Sequence, residues 1–241
     1  VTGTIVKQMM YAIIDAEGAY INLTLMLIGL TGMTVAIVIG VWTSIAIGIG
    51  KRFQYNKSFV WWVINRLVFL TGSTNLAGFM IYFLQERFIE YQGEKAAGPA
   101  ATIVMFVGIF ILLSALPSGW LCDHFGKKKI IFVSALLAAA GTSIVIFAPD
   151  LTMIYVGGSL VGAGIGFFYA ANWALGTSIV PKSEAGRFLG ISNLAGAGAG
   201  AIGAYIGGPI ADRIGYTPIF AIYTILFIFS IFTLAQIQEK N

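Results

Sequence analysis

The sequence predicts an all-α membrane protein with seven transmembrane helices, and three observations lead to this fold class. Only 10% of the 241 residues are charged, against about 25% in a typical soluble domain, and 58% are hydrophobic. Seven charge-free stretches each reach the roughly 20 residues that cross a hydrocarbon core of about 30 Å. None shows the alternating pattern of a barrel strand. A chain with so little polar surface requires lipid as its surroundings, so the bilayer is an expected partner.

Each charge-free stretch predicts one helix. The stretches are 21–50, 67–85, 96–122, 130–149, 151–181, 188–211 and 214–238. The second helix is expected to begin near Phe59, which places Arg66 two turns from its start. A basic side chain at that depth usually extends back to the membrane surface, so we expect Arg66 to do so. The alternative is that Arg66 binds a substrate.

The basic residues are divided unequally between alternate loops, nine on one side and four on the other. Because cytoplasmic loops carry the excess of Lys and Arg, we expect the first side to be cytoplasmic. We therefore expect a multi-pass protein of the plasma (inner) membrane, with its carboxyl terminus on the cytoplasmic side. The first set is Lys51, Arg52, Lys57, Lys127, Lys128, Lys129, Lys182, Arg187 and Lys240, and the second is Lys7, Arg87, Lys95 and Arg213.

Several function classes are disfavoured by the composition. The topology explains most of the basic charge, so we expect no nucleic-acid partner. One cysteine and one histidine leave little for a disulfide framework or a metal site, and we expect neither metal nor cofactor. No carboxylate, lysine or histidine lies deep in a predicted span, which argues against an intramembrane enzyme.

The motif Asp-x-x-Gly occurs three times, each time at the end of an apolar helix. The copies are Asp15 to Gly18, Asp123 to Gly126 and Asp212 to Gly215, offset by 108 and then 89 residues. These offsets are close to three helices each. Three-helix units that recur in alternating orientation are typical of transporters.

The middle copy reads Gly119-Trp-Leu-Cys-Asp123-His-Phe-Gly126-Lys-Lys-Lys. It resembles the loop G-x-L-x-D-x-x-G-[RK]-[RK] of the major facilitator superfamily, which joins the second and third helices and, in weaker form, the eighth and ninth. Residues 181–187 and 208–216 resemble the family's tenth-to-eleventh loop and the end of its eleventh helix.

The resemblance covers the whole chain and implies a truncated transporter. Residues 1–14 would be the tail of the family's fifth helix, and the seven spans its sixth to twelfth. Residues 1–50 would then be a remnant of the amino-terminal half, 51–58 a cytoplasmic linker and 59–241 the carboxyl-terminal six-helix half. The missing amino-terminal half of the same transporter is therefore an expected partner.

The charged loop is expected to act as a gate. Gly119 and Gly126 permit close approach and a tight turn, and Asp123 should seek a cation or a helix amino terminus from the opposite half. The alternative is a solvated Asp123 beside lysines that merely hold the loop inside. Asp212 and Asp15 suggest an outer counterpart, unless Arg213 or Tyr216 simply marks the interface. The gating candidates are Gly119, Asp123, Gly126, Lys127, Lys128, Arg187 and Asp212.

Two helices carry glycines at helical spacing, 158, 162 and 166 on one and 196, 200, 203 and 207 on the next. Small residues let helices in lipid approach closely, which suits helices that pack and slide. Static packing is the alternative. The match of 198–203 to the dinucleotide motif G-x-G-x-x-G fails, because no strand precedes it and no acidic residue follows about 20 positions on.

Five side chains are candidates for a solute site near the bilayer midplane, where an uncompensated polar group is costly. They are Asn75, Tyr169, Asn172, Trp173 and Asn193. By the resemblance they fall on the family's seventh, tenth and eleventh helices, which line its cavity. The alternative for each is a hydrogen bond between helices.

The resemblance implies a secondary active transporter that moves a small organic solute by alternating access. An amide, a phenol and an indole together suit a neutral solute, with a sugar or glycoside preferred and a symporter in view. A drug or metabolite exporter of the same family is the second interpretation. A half-size scaffold or receptor that does not transport is the third.

Overall fold

The computed structural model describes residues 20–50 and 57–238, which form seven long α-helices. Their bounds are α1 Tyr20–Ile49, α2 Lys57–Arg87, α3 Ala97–Phe125, α4 Lys127–Phe147, α5 Leu151–Ile179, α6 Ala185–Ile214 and α7 Tyr216–Ala235. All seven are long and apolar enough to cross a membrane. The predicted fold class is confirmed, and the chain is a multi-pass membrane protein.

Two of the turns between helices are formed by the glycines of the Asp-x-x-Gly motif. Gly126 and Gly215 each have φ of +92°, a conformation that favours glycine, and each separates two helices by a single residue. In both turns the glycine N–H donates to the carbonyl four residues earlier, Cys122 at 3.0 Å and Ala211 at 2.8 Å. Two copies of Asp-x-x-Gly therefore form the same turn. The first copy, Asp15 to Gly18, lies outside the described residues.

Helix α5 packs closely between α3 and α4. A Cβ built on Gly162 would lie 2.4 Å from the Val107 carbonyl oxygen of α3. On the opposite side of α5, Gly157 and Gly164 meet the backbone of α4 in the same way. The missing side chains bring three helices into backbone contact, so this trio is the most tightly packed part of the bundle.

The second glycine helix, α6, packs on different partners. Gly203 lies against Asn75 of α2, and Gly207 lies against the Tyr223 hydroxyl of α7. Helix α1 packs along α6, where Gly29 meets Ile210 and Gly48 meets Ile191. The two glycine faces thus pack on separate neighbours rather than on each other.

Basic side chains collect at one end of the bundle, which we call the basic end. Lys57, the three lysines 127–129, Lys182 and Arg187 all lie there, at the starts of α2, α4 and α6. Lys51, Arg52 and Lys240 lie outside the described residues. The cytoplasmic assignment of this end, and the division of the chain at 50 and 58, stay predictions.

Candidate functional site

A polar cluster joins α2, α5 and α7 within the otherwise apolar bundle. Asn65 Nδ2 donates to the Ser230 carbonyl of α7 at 2.7 Å and to Thr233 Oγ1 at 3.2 Å. The Asn65 oxygen in turn accepts from Asn172 Nδ2 of α5 at 3.4 Å. Three helices are therefore linked by amide hydrogen bonds at one level.

Arg66 is the charged member of this cluster. Its side chain is only 5% exposed, and Nη1 donates to Asn172 Oδ1 at 3.1 Å. The guanidinium carbon lies 4.7 Å from the centre of the Trp173 ring, within range of a cation–π interaction. Arg66 thus points into the bundle, and the expectation that it reaches the membrane surface is wrong. The reason is that Asn172 and Trp173 offer polar and π partners that lipid cannot.

Trp62 fixes the position of Asn172. The indole Nε1 donates to the Asn172 backbone carbonyl at 2.9 Å, and the ring fills the space left by Gly176, where a Cβ would come within 2.1 Å of it. The Trp62 ring also lies edge-on to Trp173, with centroids 6.4 Å apart. Packing around a glycine therefore holds the amide that binds the guanidinium.

Tyr169 lies on the accessible side of the cluster. It is 36% exposed. It is one turn before Trp173, which is half-buried, so the two rings share a face of α5. The Trp173 ring that Arg66 contacts thus lies next to an exposed phenol on α5.

The two other predicted solute residues form no hydrogen bond with this cluster. Asn75 is buried against Gly203, and its Nδ2 donates to the Thr71 carbonyl of its own helix at 2.8 Å. Asn193 is exposed on α6, whereas its neighbour Ser192 is fully buried. The contacts of Asn75 are those of helix packing, and only Tyr169, Asn172 and Trp173 come together.

The turn at Gly126 exposes its acidic residue at the basic end. The Asp123 side chain is exposed and makes no hydrogen bond or ion pair with any residue from 20–50 or 57–238. Gly119, one turn earlier on α3, has open space where a Cβ would stand. The loop is anchored by Lys128, whose Nζ donates to the Ile237 carbonyl at 2.8 Å. Lys127 is half-buried, and Arg187 on α6 is exposed.

The matching turn at Gly215 is closed by a residue that the sequence analysis missed. The Glu86 carboxylate at the end of α2 accepts from the Tyr216 backbone N–H, the first residue of α7. It sits so close to Gly215 that a Cβ there would lie 2.7 Å from Glu86 Oε1. Asp212 is exposed beside this contact. One Asp-x-x-Gly turn therefore has an acidic cap, whereas the described residues give the other none.

Other sites are less developed. A small cavity between α2, α3, α4 and α5 has Leu76, Val107 and Ile165 in its lining and only two hydroxyls, Ser73 and Thr142. The described residues contain no group of three His, Cys, Asp or Glu side chains that could hold a metal ion. The Arg66 cluster, by contrast, brings a guanidinium, two amides and an indole ring together inside the bundle.

Comparison with known proteins gives the family. The model of the Major Facilitator Superfamily matches residues 63–239. Multidrug resistance protein MdtG of Rahnella sp. (strain Y9602) is 34% identical over 140 residues, 55% of this chain and 33% of that protein. The minor myo-inositol transporter IolF of Bacillus subtilis (strain 168) is 31% identical over 90 residues, 37% of this chain and 20% of that protein.

A third relative, the human organic cation/carnitine transporter 2, is 36% identical over 85 residues, 35% of this chain and 15% of that protein. The match spans no more than about a third of the length of any of these relatives. The family model covers well over half of the chain and includes the Arg66 cluster and both glycine turns. With its seven spanning helices, the chain belongs to the major facilitator superfamily.

Proposed function

We propose that this chain is the carboxyl-terminal part of a secondary active transporter that moves a small organic solute across the membrane by alternating access. Family membership supports transport, since the relatives above carry the names of transporters or of a drug-resistance protein. The chain performs no chemical reaction in this proposal. Its partners are the solute, the bilayer and the amino-terminal half of the same transporter.

The observation that carries the proposal is the buried guanidinium beside an accessible aromatic face. Polar groups inside a membrane are costly and mark solute paths. Arg66 and Asn172 supply the polar contacts, and Tyr169 is exposed beside them. We place the solute here, on α2 and α5, and leave Asn75 and Asn193 to packing and to the exposed face of α6.

The turn at Gly126 is proposed as the gate. Asp123 is exposed and unpaired among the described residues, at the same end of the bundle as the lysines that follow it. A carboxylate of this kind can bind a helix amino terminus or a cation of the other half in one conformation and release it in the next. The Lys128 hydrogen bond to the Ile237 carbonyl holds this turn in place. The absence of a side chain at Gly119 lets the opposite half approach α3 closely.

The substrate class has two candidates, and a protein without transport activity is the third interpretation. A sugar or glycoside agrees with the amide and aromatic groups and with the name of IolF. A drug or metabolite exporter agrees with the name of MdtG, which matches a larger share of the chain. A scaffold or receptor would not need a charged group in the bundle, so transport is the stronger proposal.

Reconstitution of the full-length gene product tests the proposal. Purified protein in vesicles should show saturable flux of at least one labelled organic solute, driven by a solute, proton or sodium gradient. Empty vesicles and vesicles with Asn172→Leu protein are the controls, because the leucine removes the acceptor of Arg66. Absence of flux for sugars, organic ions and hydrophobic drugs under every gradient would refute the transport function.

A further inference from the structure

The guanidinium of Arg66 is a buried positive charge without a negative partner in the described chain. Its nearest partners are an amide oxygen and an indole ring, both neutral. Nε is buried and has no hydrogen-bond acceptor among the described residues. The cluster as described therefore keeps a full positive charge, and only one of the five guanidinium N–H donors has a hydrogen-bond acceptor among the described residues.

No acidic side chain of the described residues is placed to neutralise that charge. All seven stand at helix ends or in the connections between helices, whereas Arg66 lies nine residues into α2, about 13 Å from its start. They are Glu86, Glu90, Glu94, Asp123, Asp150, Glu184 and Asp212. An unpaired buried charge is strongly destabilising, and the neutral partners offset this cost only in part.

Helix α6 packs against the Nε edge of Arg66 at a glycine. A Cβ built on Gly196 would lie 3.7 Å from the Nε atom and 3.4 Å from a methyl carbon of Leu70. One turn earlier on α6 is Ser192, whose fully buried hydroxyl also has no hydrogen-bond partner within the described residues. Arg66 Nε on α2 and Ser192 Oγ on α6 are thus two buried polar atoms without a hydrogen-bond partner among the described residues.

We infer that Arg66 is the anion-binding group of the solute site and that the solute is a small organic acid, whose carboxylate binds the guanidinium of Arg66. The inference deepens the proposed transport function and rests on it. A planar carboxylate matches the fork of a guanidinium and carries one charge, which neutralises one arginine. A phosphate would bring up to two charges and leave an excess. Arg66 covers one face of the Trp173 ring, so a sugar ring cannot stack on that face. We therefore prefer an organic acid to a neutral sugar as the solute.

Small matched probes test the head-group chemistry without knowledge of the whole solute. We compare acetate with acetamide and benzoate with benzamide, at constant ionic strength set by sodium chloride. The readouts are tryptophan fluorescence and thermal stability of the purified full-length transporter. Each acid should bind at least about tenfold more tightly than its amide, because the bond to a charged donor is the stronger one.

Three variants assign the effect to Arg66. Arg66→Gln should abolish the preference for acids, and Arg66→Lys should keep part of it, because it retains the charge and loses the fork. The matched control is Lys57→Gln, which removes an exposed charge from the start of the same helix and should leave the preference unchanged. The lysine variant keeps the test valid if the glutamine variant is unstable.

Equal binding of acids and amides to the wild type would overturn the inference, as would a preference that survives in Arg66→Gln. If Arg66 instead pairs with an acidic residue elsewhere in the transporter, its replacement would lower the flux of neutral solutes. The wild type would then show no preference for acids over amides. Flux of neutral solutes alone would remove the inference and keep the transport function. A lack of all flux, with the acid preference intact, would remove only the transport function.

Discussion

The contact between α3 and α5 allows a quantitative prediction at Gly162. An alanine there would place its Cβ 2.4 Å from the Val107 carbonyl oxygen and 3.0 Å from the Val107 Cα. Both atoms belong to the backbone, so no side-chain rotation relieves the clash. The first distance is about 1 Å below ordinary contact, and the two helices must separate by a similar amount. Overpacking of this kind costs about 1–3 kcal/mol.

Thermal unfolding of the full-length transporter in detergent measures this cost. At roughly 2–4 °C for each kcal/mol, Gly162→Ala should lower the Tm by about 2–12 °C. The control is Gly108→Ala on α3, where nothing lies within 4 Å of the added Cβ. That variant should leave the Tm unchanged or raise it slightly, because alanine favours the helix. Equal Tm values for the two variants would refute the close packing of α3 on α5.

Three further changes have defined outcomes. Asp123→Asn should lower turnover by more than about tenfold and change the solute Kd by less than about twofold. The reason is that the carboxylate contributes to the gate and not to the solute site. Flux and binding assays on one preparation measure both quantities. Glu86→Ala should cost about 0.5–2 kcal/mol, read as a lower Tm, because the Tyr216 N–H loses its cap. Asn172→Asp should neutralise Arg66, raise the Tm and abolish the response to acetate; a retained acetate response would contradict the placement of the anion.

The apolar stretches alone were enough to predict the seven helices, because a spanning segment needs a long run without charge. The charge-free stretch of α2 begins only at residue 67 because Arg66 interrupts the apolar run, and the predicted start near Phe59 lies two residues from the observed start at Lys57. The burial of Arg66 depends on Asn172, which is 106 positions away in the sequence. No local pattern announces such a pair, and the general rule for arginines near helix ends gave the wrong position.

Only part of the site could be predicted, because some of its contacts join residues that are far apart in the sequence. Tyr169, Asn172 and Trp173 share one turn of a helix, so their grouping was visible in the sequence. Asn75 looked similar by itself, but Gly203 of α6 closes the space around it. Glu86 was missed because its partner, the Tyr216 N–H, is a backbone group 130 residues on. The signal available was the Asp-x-x-Gly turn, whose following helix needs a partner for its first N–H groups.

The central claim is that the Arg66 cluster lies on a path open alternately to both sides of the membrane. Its most direct test is the modification rate of Tyr169→Cys by a membrane-impermeant maleimide, in a full-length transporter with Cys122 and all other cysteines replaced. Tyr169 is ten residues before the end of α5, about 15 Å deep, and 36% exposed. We predict modification from both sides, slowed by a transported solute. Modification from one side only, at a rate that no solute alters, would contradict the claim.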